Sequence, residues 1–572
     1  MRQINGQNST STIKQYSSTL LLMGSMLCST HLLATTTATA YNANNYNAIQ
    51  QTMLAEFALA YADTATALHN YTVLAIKSNS TTVKQRALNV ALEQHDFKAA
   101  LDIATHWVVQ EPSDVPALFY LAHIALQAHE YELAAESIDK ILSHDPSADL
   151  EKILAGIAPE SKEDQTVLVD ALQNSQAKDN PSILVIIAAL EAQTGQFEQA
   201  LATINRALKK RPNASNFILM KANLLSALGD EEQTRKWYSK ASRQHKSNLE
   251  IRLAEVKYLI KVNDSMLALE KLEKILQKWP KAEEALFIAG LTSIDLKQYE
   301  RAERYLVELR NSSQYQNDAY YYLALNAERK GHYETAKAYY RLVDGSLYAV
   351  SRQNLINIYT EQQRLNDALR FLTQERVNYP QHASFLYQAQ AEILKKMGNK
   401  RAAIGLLEEA IQHLSDDPEL IYAEVLLLDP FVQRDRLDQL LTLLLDLEPN
   451  HPAYLNAYAY TLALQNRRLD EARDYAERAL EMAPDQASIM DTLGFVAYLQ
   501  NDFSTAAKVL EQAYLLNDSV SIGVRYARAL YMQGDLGRFA QILKQLQQKH
   551  PNDPQLAPLN SLLIPPPMPK SS

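Results

Sequence analysis

The residue types able to do chemistry are spread thinly along this 572-residue chain. Its histidines stand at 31, 69, 95, 106, 123, 129, 144, 245, 332, 382, 413, 451 and 550. His123 and His129 are six residues apart and so do not share a helical face. That dispersion argues against an imidazole metal site and for histidines that are solvated or hydrogen-bonded in place. The one cysteine, Cys28, excludes a disulfide scaffold, a cysteine zinc site and an iron–sulfur cluster within the chain. No H-E-x-x-H, G-x-x-x-x-G-K-[ST], G-x-S-x-G or dinucleotide glycine fingerprint occurs. Tyr320, Tyr321 and Tyr322, with Tyr339 and Tyr340, have the type and spacing for a stacking platform. The alternative is that such tyrosines fill the core between helices. The expectation is a chain with no catalytic residues, no metal and no cofactor.

The elements that would carry these residues follow from composition and period. Glycine is 14 of 572, which disfavours hairpins and phosphate loops because both need positive φ. A hydrophobic share of 47% is enough for a core and argues against disorder of the whole chain. A net charge of −10 argues against a general nucleic-acid binder.

The amino terminus reads as a targeting segment. Arg2 and Lys14 are its only charges before an apolar stretch over 19–34, and Ala38-Thr39-Ala40 follows. That stretch is shorter than the ~20 residues of a membrane span. A positive start, a short apolar run and a small-x-small site predict a secretory signal over 1–40, with the mature chain starting near Tyr41. The rival is a lipoprotein anchored at Cys28, but Leu27 stands where a small residue is wanted.

The remainder repeats. Pro112, Pro146, Pro212, Pro280, Pro380, Pro449, Pro484 and Pro551 are separated by 34, 66, 68, 100, 69, 35 and 67 residues. Ala100, Ala134, Ala200, Ala268, Ala302, Ala336, Ala368, Ala403, Ala472 and Ala506 keep the same period, and Gly290 and Gly494 are 204 apart. Within the unit beginning at Asn317, Leu323 and Ala324 fill positions 7 and 8, Gly331 fills 15 and Ala336 fills 20.

This pattern resembles the tetratricopeptide repeat over roughly residues 45–553. The resemblance implies an all-α fold, a right-handed superhelical solenoid of about 13–15 antiparallel helix pairs, over 41–556. Small residues at positions 8 and 20 let paired helices approach. Gly or Asn at 15 takes the left-handed turn, and Pro at 32 ends the second helix. Residues 147–180 and 415–449 depart from the pattern and are expected to be helical repeats with altered packing. The alternative for 147–180 is a loop-rich break. From Ala557 onward, with Pro565-Pro566-Pro567 and Pro569, a flexible extension is expected.

Charge is uneven. Residues 209–281 carry 16 Lys/Arg and 8 Asp/Glu, whereas 411–485 carry 6 and 15. Solvated outer faces explain this, and so would two partner surfaces of opposite sign. An RNA groove on the basic stretch is the third reading, and an export signal weighs against it.

In the repeat type, positions 2, 5, 9, 12 and 13 line a concave groove. Asn223, Lys257 and Lys261 occupy such positions, but the full set for clamping a peptide carboxylate is absent. Tyr321 and Arg329 in one unit, with Gln353 and Asn357 at positions 5 and 9 of the next, are the expected partner-binding residues, and Tyr321 is expected not to be core. Leu455 to Ala463, Leu469 to Ala472 and Met490 to Phe495 resemble a group of exported proteobacterial repeat lipoproteins. The best understood of these partners a carboxy-terminal processing protease, although Tyr458-Ala459 replaces the group's Leu-Gly. That resemblance implies a periplasmic, non-catalytic protein-binding adaptor or scaffold of the cell envelope, binding a protease and its clients. A scaffold in envelope assembly or polysaccharide export is the alternative.

Overall fold

The computed structural model describes residues 43–146, 148, 150 and 159–562. Cys28, the apolar run 19–34, Ala38 to Ala40 and the prolines at 565–569 lie outside them. Every regular element among the described residues is helical, as the repeat implies. The chain divides into two compact units, one up to Gln298 and one from Tyr299.

Within each unit, consecutive helices pack as pairs across turns of about three residues. The period explains how. The ten alanines at position 20 are all completely buried, so in those ten repeats the second helix meets its partner without a large side chain holding them apart. Where the site is closest, only glycine fits. A Cβ on Gly494 would stand 2.5 Å from Leu510 Cγ.

The turn between paired helices is left-handed at position 15. Gly195, Gly229, Gly331, Gly398 and Gly534 have φ between 75° and 88°. The same position is taken by Asn263 and Asn501, and also by His95, His129, Lys297 and Gln363, at φ 56–62°. Those last four are residues for which the conformation is strained. Next in the chain, Asp63, Asp96, Asp230, Asp264, Asp502 and Asp535 each accept a backbone N–H three residues on, capping the second helix. The second helices Phe97–Gln110, Phe197–Lys210 and Ser265–Lys278 each stop two residues before Pro112, Pro212 and Pro280.

The departures from the repeat are also visible. In 415–449 the first helix is cut to Pro418–Val425, and Asp429 then caps the N–H groups of Phe431 and Val432 before Arg434–Leu447 begins. Leu437 replaces alanine at the close contact and is buried there. Of 147–180, residues 147, 149 and 151–158 lie outside the described ones. Lys162–Asn174 is a helix, and Asp139 accepts from the N–H groups of Gln176 and Ala177 in the turn after it. Helix continues past 556 as Ala557–Leu562, because Leu559 enters the core of Phe539 and Leu543. The expected boundary at Ala557 therefore falls inside the packed structure.

Two second helices in the later unit end early without a proline. Tyr299–Val307 runs into a 3-10 turn over Glu308–Asn311, and Tyr333–Leu342 stops at Val343. The carbonyls freed at the end of Tyr333–Leu342 are taken by one buried side chain. Arg352 donates to Tyr340 O at 2.7 Å, Val343 O at 2.9 Å and Arg341 O at 3.2 Å.

Candidate functional site

Three first helices of consecutive repeats, Tyr348–Glu361, Ala383–Lys396 and Pro418–Val425, frame an open cleft of about 290 Å³ in the second unit. Gln353 comes from the first, Phe385, Gln388, Ala389, Glu392 and Lys395 from the second, and Ala423 from the third. Periodicity puts them there. With Ala391 at position 8, Phe385, Gln388, Glu392 and Lys395 fall at 2, 5, 9 and 12, so one stripe of the helix faces one way. Ala391 and Leu407 are buried beneath it. Phe385 and Ala389 are half-buried, leaving an apolar floor.

The rim is polar. Gln353 is exposed and donates through Nε2 to Asn357 Oδ1 at 3.0 Å. Lys395 pairs with Glu392 at 3.3 Å, an exposed pair worth little by itself. At the far end the shortened helix turns Leu426 out, 64% exposed, while Leu427 is buried. A cleft of this size and lining holds one or two apolar side chains of a peptide, with amides and one ion pair at its edge.

The four expected site residues divide. Gln353 lines the cleft, and Asn357 is its hydrogen-bond partner one turn on. Arg329 is exposed at the end of Gln316–Arg329 and is not among the residues lining the cleft. Tyr321 lies at the edge of the core. It is half-buried, packs edge-on against Tyr340 at 5.9 Å, and its hydroxyl accepts from Asn354 at 3.3 Å. Asn354 bonds the Tyr340 hydroxyl as well, at 3.2 Å. Tyr320 stacks on Tyr339 at 6.4 Å. Of the five tyrosines, Tyr340 is buried in the core and the other four are half-buried. Tyr340, fully buried and donating to Glu328 at 2.7 Å, has its ionisation pushed well above the ordinary tyrosine range by burial and then by that carboxylate.

Phe385, Gln388, Glu392 and Lys395 were not among the expected site residues. The position rule that selects Gln353 selects them too, one repeat later. Leu426 had no such signal, because it lies where the helix breaks off.

Nearer the carboxy end, groove positions are filled by the chain itself. Arg525 ion-pairs with Asp491, donates to the Tyr460 hydroxyl at 3.0 Å, and lies over Phe495 at 4.7 Å. Burial raises the Asp491 carboxyl above its ordinary value despite the pull of Arg525. Arg525 is held by these three side chains, although Asp491 Oδ1 is buried without a hydrogen-bond partner among the described residues, whereas the cleft beside Gln353 stands open.

Comparison with known proteins agrees with the repeat. A tetratricopeptide-repeat family model matches residues 497–563. A TPR repeat-containing protein of Pseudomonas aeruginosa is 23% identical over 452 residues, covering 78% of this chain and 76% of its own. Among solved structures, the Cut9–Hcn1 hetero-tetramer of the APC/C is 14% identical, with a TM-score of 0.35 over 83% of this chain and 95% of that one. Yeast Tom70 is 14% identical, with a TM-score of 0.27 over 91% of this chain and 100% of its own. With buried alanine at ten repeat positions and left-handed residues at the turns named above, the chain is an all-α stack of helix pairs that is similar to tetratricopeptide-repeat proteins.

Proposed function

We propose that this protein is an exported, non-catalytic adaptor of the cell envelope that seizes a protein ligand in the cleft between Gln353 and Leu427. The observation that carries the binding site is the cleft itself, an apolar floor under a polar rim on the first helices of three repeats. Export rests on the charge, length and Ala38-x-Ala40 pattern of residues 1–40. The more specific partners, a periplasmic carboxy-terminal processing protease and its clients, rest on the resemblance of Leu455 to Phe495. The scaffold would act by raising the local concentration of client and enzyme.

The test is crosslinked capture from intact cells, with Leu426→Asp and Phe385→Ala compared with the natural chain. Leu426 is exposed, so its substitution leaves the fold alone while placing a charge in the cleft. Capture of a protease, lost in both variants, supports the proposal. Capture of a glycan synthase instead supports the envelope-assembly reading. Undiminished capture by Leu426→Asp removes the cleft as the site. Amino-terminal sequencing of the mature chain should begin at or near Tyr41. A lipid-bearing start at Cys28 would favour the anchored form, and an intact Met1 would overturn export.

A further inference from the structure

A second cavity, of about 260 Å³, lies in the first unit, mostly between second helices of the repeat. Its walls come from the second helices Glu231–Gln244 and Ser265–Lys278, from Lys246 beyond the first of them, and from Arg252 and Glu255 on the helix between, Leu249–Lys261. Five cations surround it: Arg243, Lys246, Arg252, Lys271 and Lys274. Two carboxylates lie among them, and both are already taken. Lys271 pairs with Glu255 at 2.5 Å and Lys274 with Glu270 at 2.5 Å.

Arg243, Lys246 and Arg252 form no ion pair with a carboxylate among the described residues. Arg252 is half-buried, with its guanidinium over Trp279 at 5.8 Å, and its Nε is buried with no hydrogen-bond partner among the described residues. Ser242 is buried at the same wall, and its hydroxyl also lacks a partner among them. A half-buried cation and a buried hydroxyl left unsatisfied cost free energy, and an anion entering the cavity would recover it.

We infer that this cavity is an anion-binding site for an acidic peptide segment, with a carboxylate side chain held by Arg252, Arg243 and Lys246. The cavity is larger than one oxyanion, and Leu267 and Ile275 give it apolar wall. A carboxylate on a methylene stem fits both features. The chain's net charge of −10 repels a polyanion such as a nucleic acid at long range, while a short acidic segment meets the local excess of positive charge over 209–281. The cavity belongs to the first unit, and none of its lining residues lines the cleft beside Gln353.

The experiment uses the full chain and a fluorescent hexaglutamate peptide, followed by anisotropy at low and at moderate salt. The natural chain should give a saturable isotherm that weakens as salt rises. Arg252→Gln should weaken it at least tenfold. Because Arg252 also packs on Trp279, the exposed pair Arg243→Gln with Lys246→Gln is measured beside it and should weaken binding by a similar factor without altering the helical circular dichroism. A hexaglutamate isotherm unchanged in the exposed-pair variant overturns the proposal, as does absence of saturable binding. Displacement of the peptide by inorganic phosphate at equal concentration would make the site one for a free oxyanion, and displacement by an oligothymidylate one for nucleic acid. Either would overturn the peptide assignment.

Discussion

Arg352 and Glu375 form an ion pair inside the second unit, Nε to Oε2 at 2.5 Å, with the arginine side chain fully buried and the glutamate nearly so. The same guanidinium caps three carbonyls at the end of Tyr333–Leu342 and lies over the Tyr348 ring at 4.2 Å. Tyr348 donates to Glu375 in turn, at 3.1 Å. Arginine therefore supplies here what proline and an ordinary turn supply in other repeats. It fixes the repeat that bears Gln353.

Removing one partner leaves the other charge buried. Arg352→Met should cost about 3–5 kcal/mol in urea unfolding of the whole chain. Arg352→Lys should recover little of it, since a single ammonium cannot reach a carboxylate and three carbonyls at once. A lysine variant as stable as the natural protein would show that only charge matters at this position.

The left-handed turns offer a test in the opposite direction. Gln363 holds φ at 56° and is exposed, so Gln363→Gly loses no packing and relieves strain. It should raise stability by about 1 kcal/mol. Gly398→Ala, at φ 77° with nothing within 4 Å of the added Cβ, should lower it by about as much. Equal stability of Gly398→Ala and the natural chain would mean that the turn is not a conformational constraint.

Close approach is tested at Gly494. An added methyl would stand 2.5 Å from Leu510 Cγ and 2.9 Å from its Cδ2. Gly494→Ala should destabilise by about 1–3 kcal/mol, although alanine fills the same repeat position at Ala188, Ala324 and Ala459. Gly494→Ala paired with Leu510→Val, which opens room, should lose less than the single change. A double variant worse than the single one would contradict the steric account.

Tyr238 gives a pH signature. It is 4% exposed and stacks on Tyr258 at 5.3 Å. Burial above all, with Tyr258 and Glu255 adding to it, pushes its hydroxyl up to about 12 from an ordinary value of 10.0. The folded state holds this proton more tightly than the unfolded one. Its contribution is therefore fully present below pH 10 and is lost as pH rises through about 12, on the order of 2–3 kcal/mol. Unfolding midpoints should hold up to about pH 9.5 and fall above it, and Tyr238→Phe should fall less steeply. A Tyr238→Phe variant that falls in step with the natural chain would remove the tyrosine from the explanation.

The repeat was legible because it rests on backbone and volume. Alanine stands at position 20 of ten repeats, where two helices touch, so its period survives in the sequence and every one of the ten is buried, while Thr234, Leu437 and Phe539 take that place in other repeats. The groove was legible to the extent that the stacking keeps its register, which is why Gln353 lies in the cleft and why the same rule reaches Gln388 and Glu392. Position alone does not say what the next repeat offers to Tyr321, which Asn354 and Tyr340 hold at the edge of the core, half-buried. Lys84, Arg352 and Glu424 are buried charges with distant partners, Glu111, Glu375 and Arg436. No local pattern announces them. His95, Lys297 and Gln363 at left-handed turns were hidden for a related reason, since the fold imposes that conformation on residues that do not prefer it.

The most direct test of the central claim is site-specific photocrosslinking in intact cells. A photoreactive residue at Gln388 lies in the cleft, and one at Glu408 is exposed on the second helix of the same repeat, outside the lining of the cleft. The account predicts one discrete adduct from Gln388, absent from Glu408 and lost when Leu426→Asp is added. Equal adducts from both positions, or an adduct from Glu408 alone, would contradict a partner seated across the first helices.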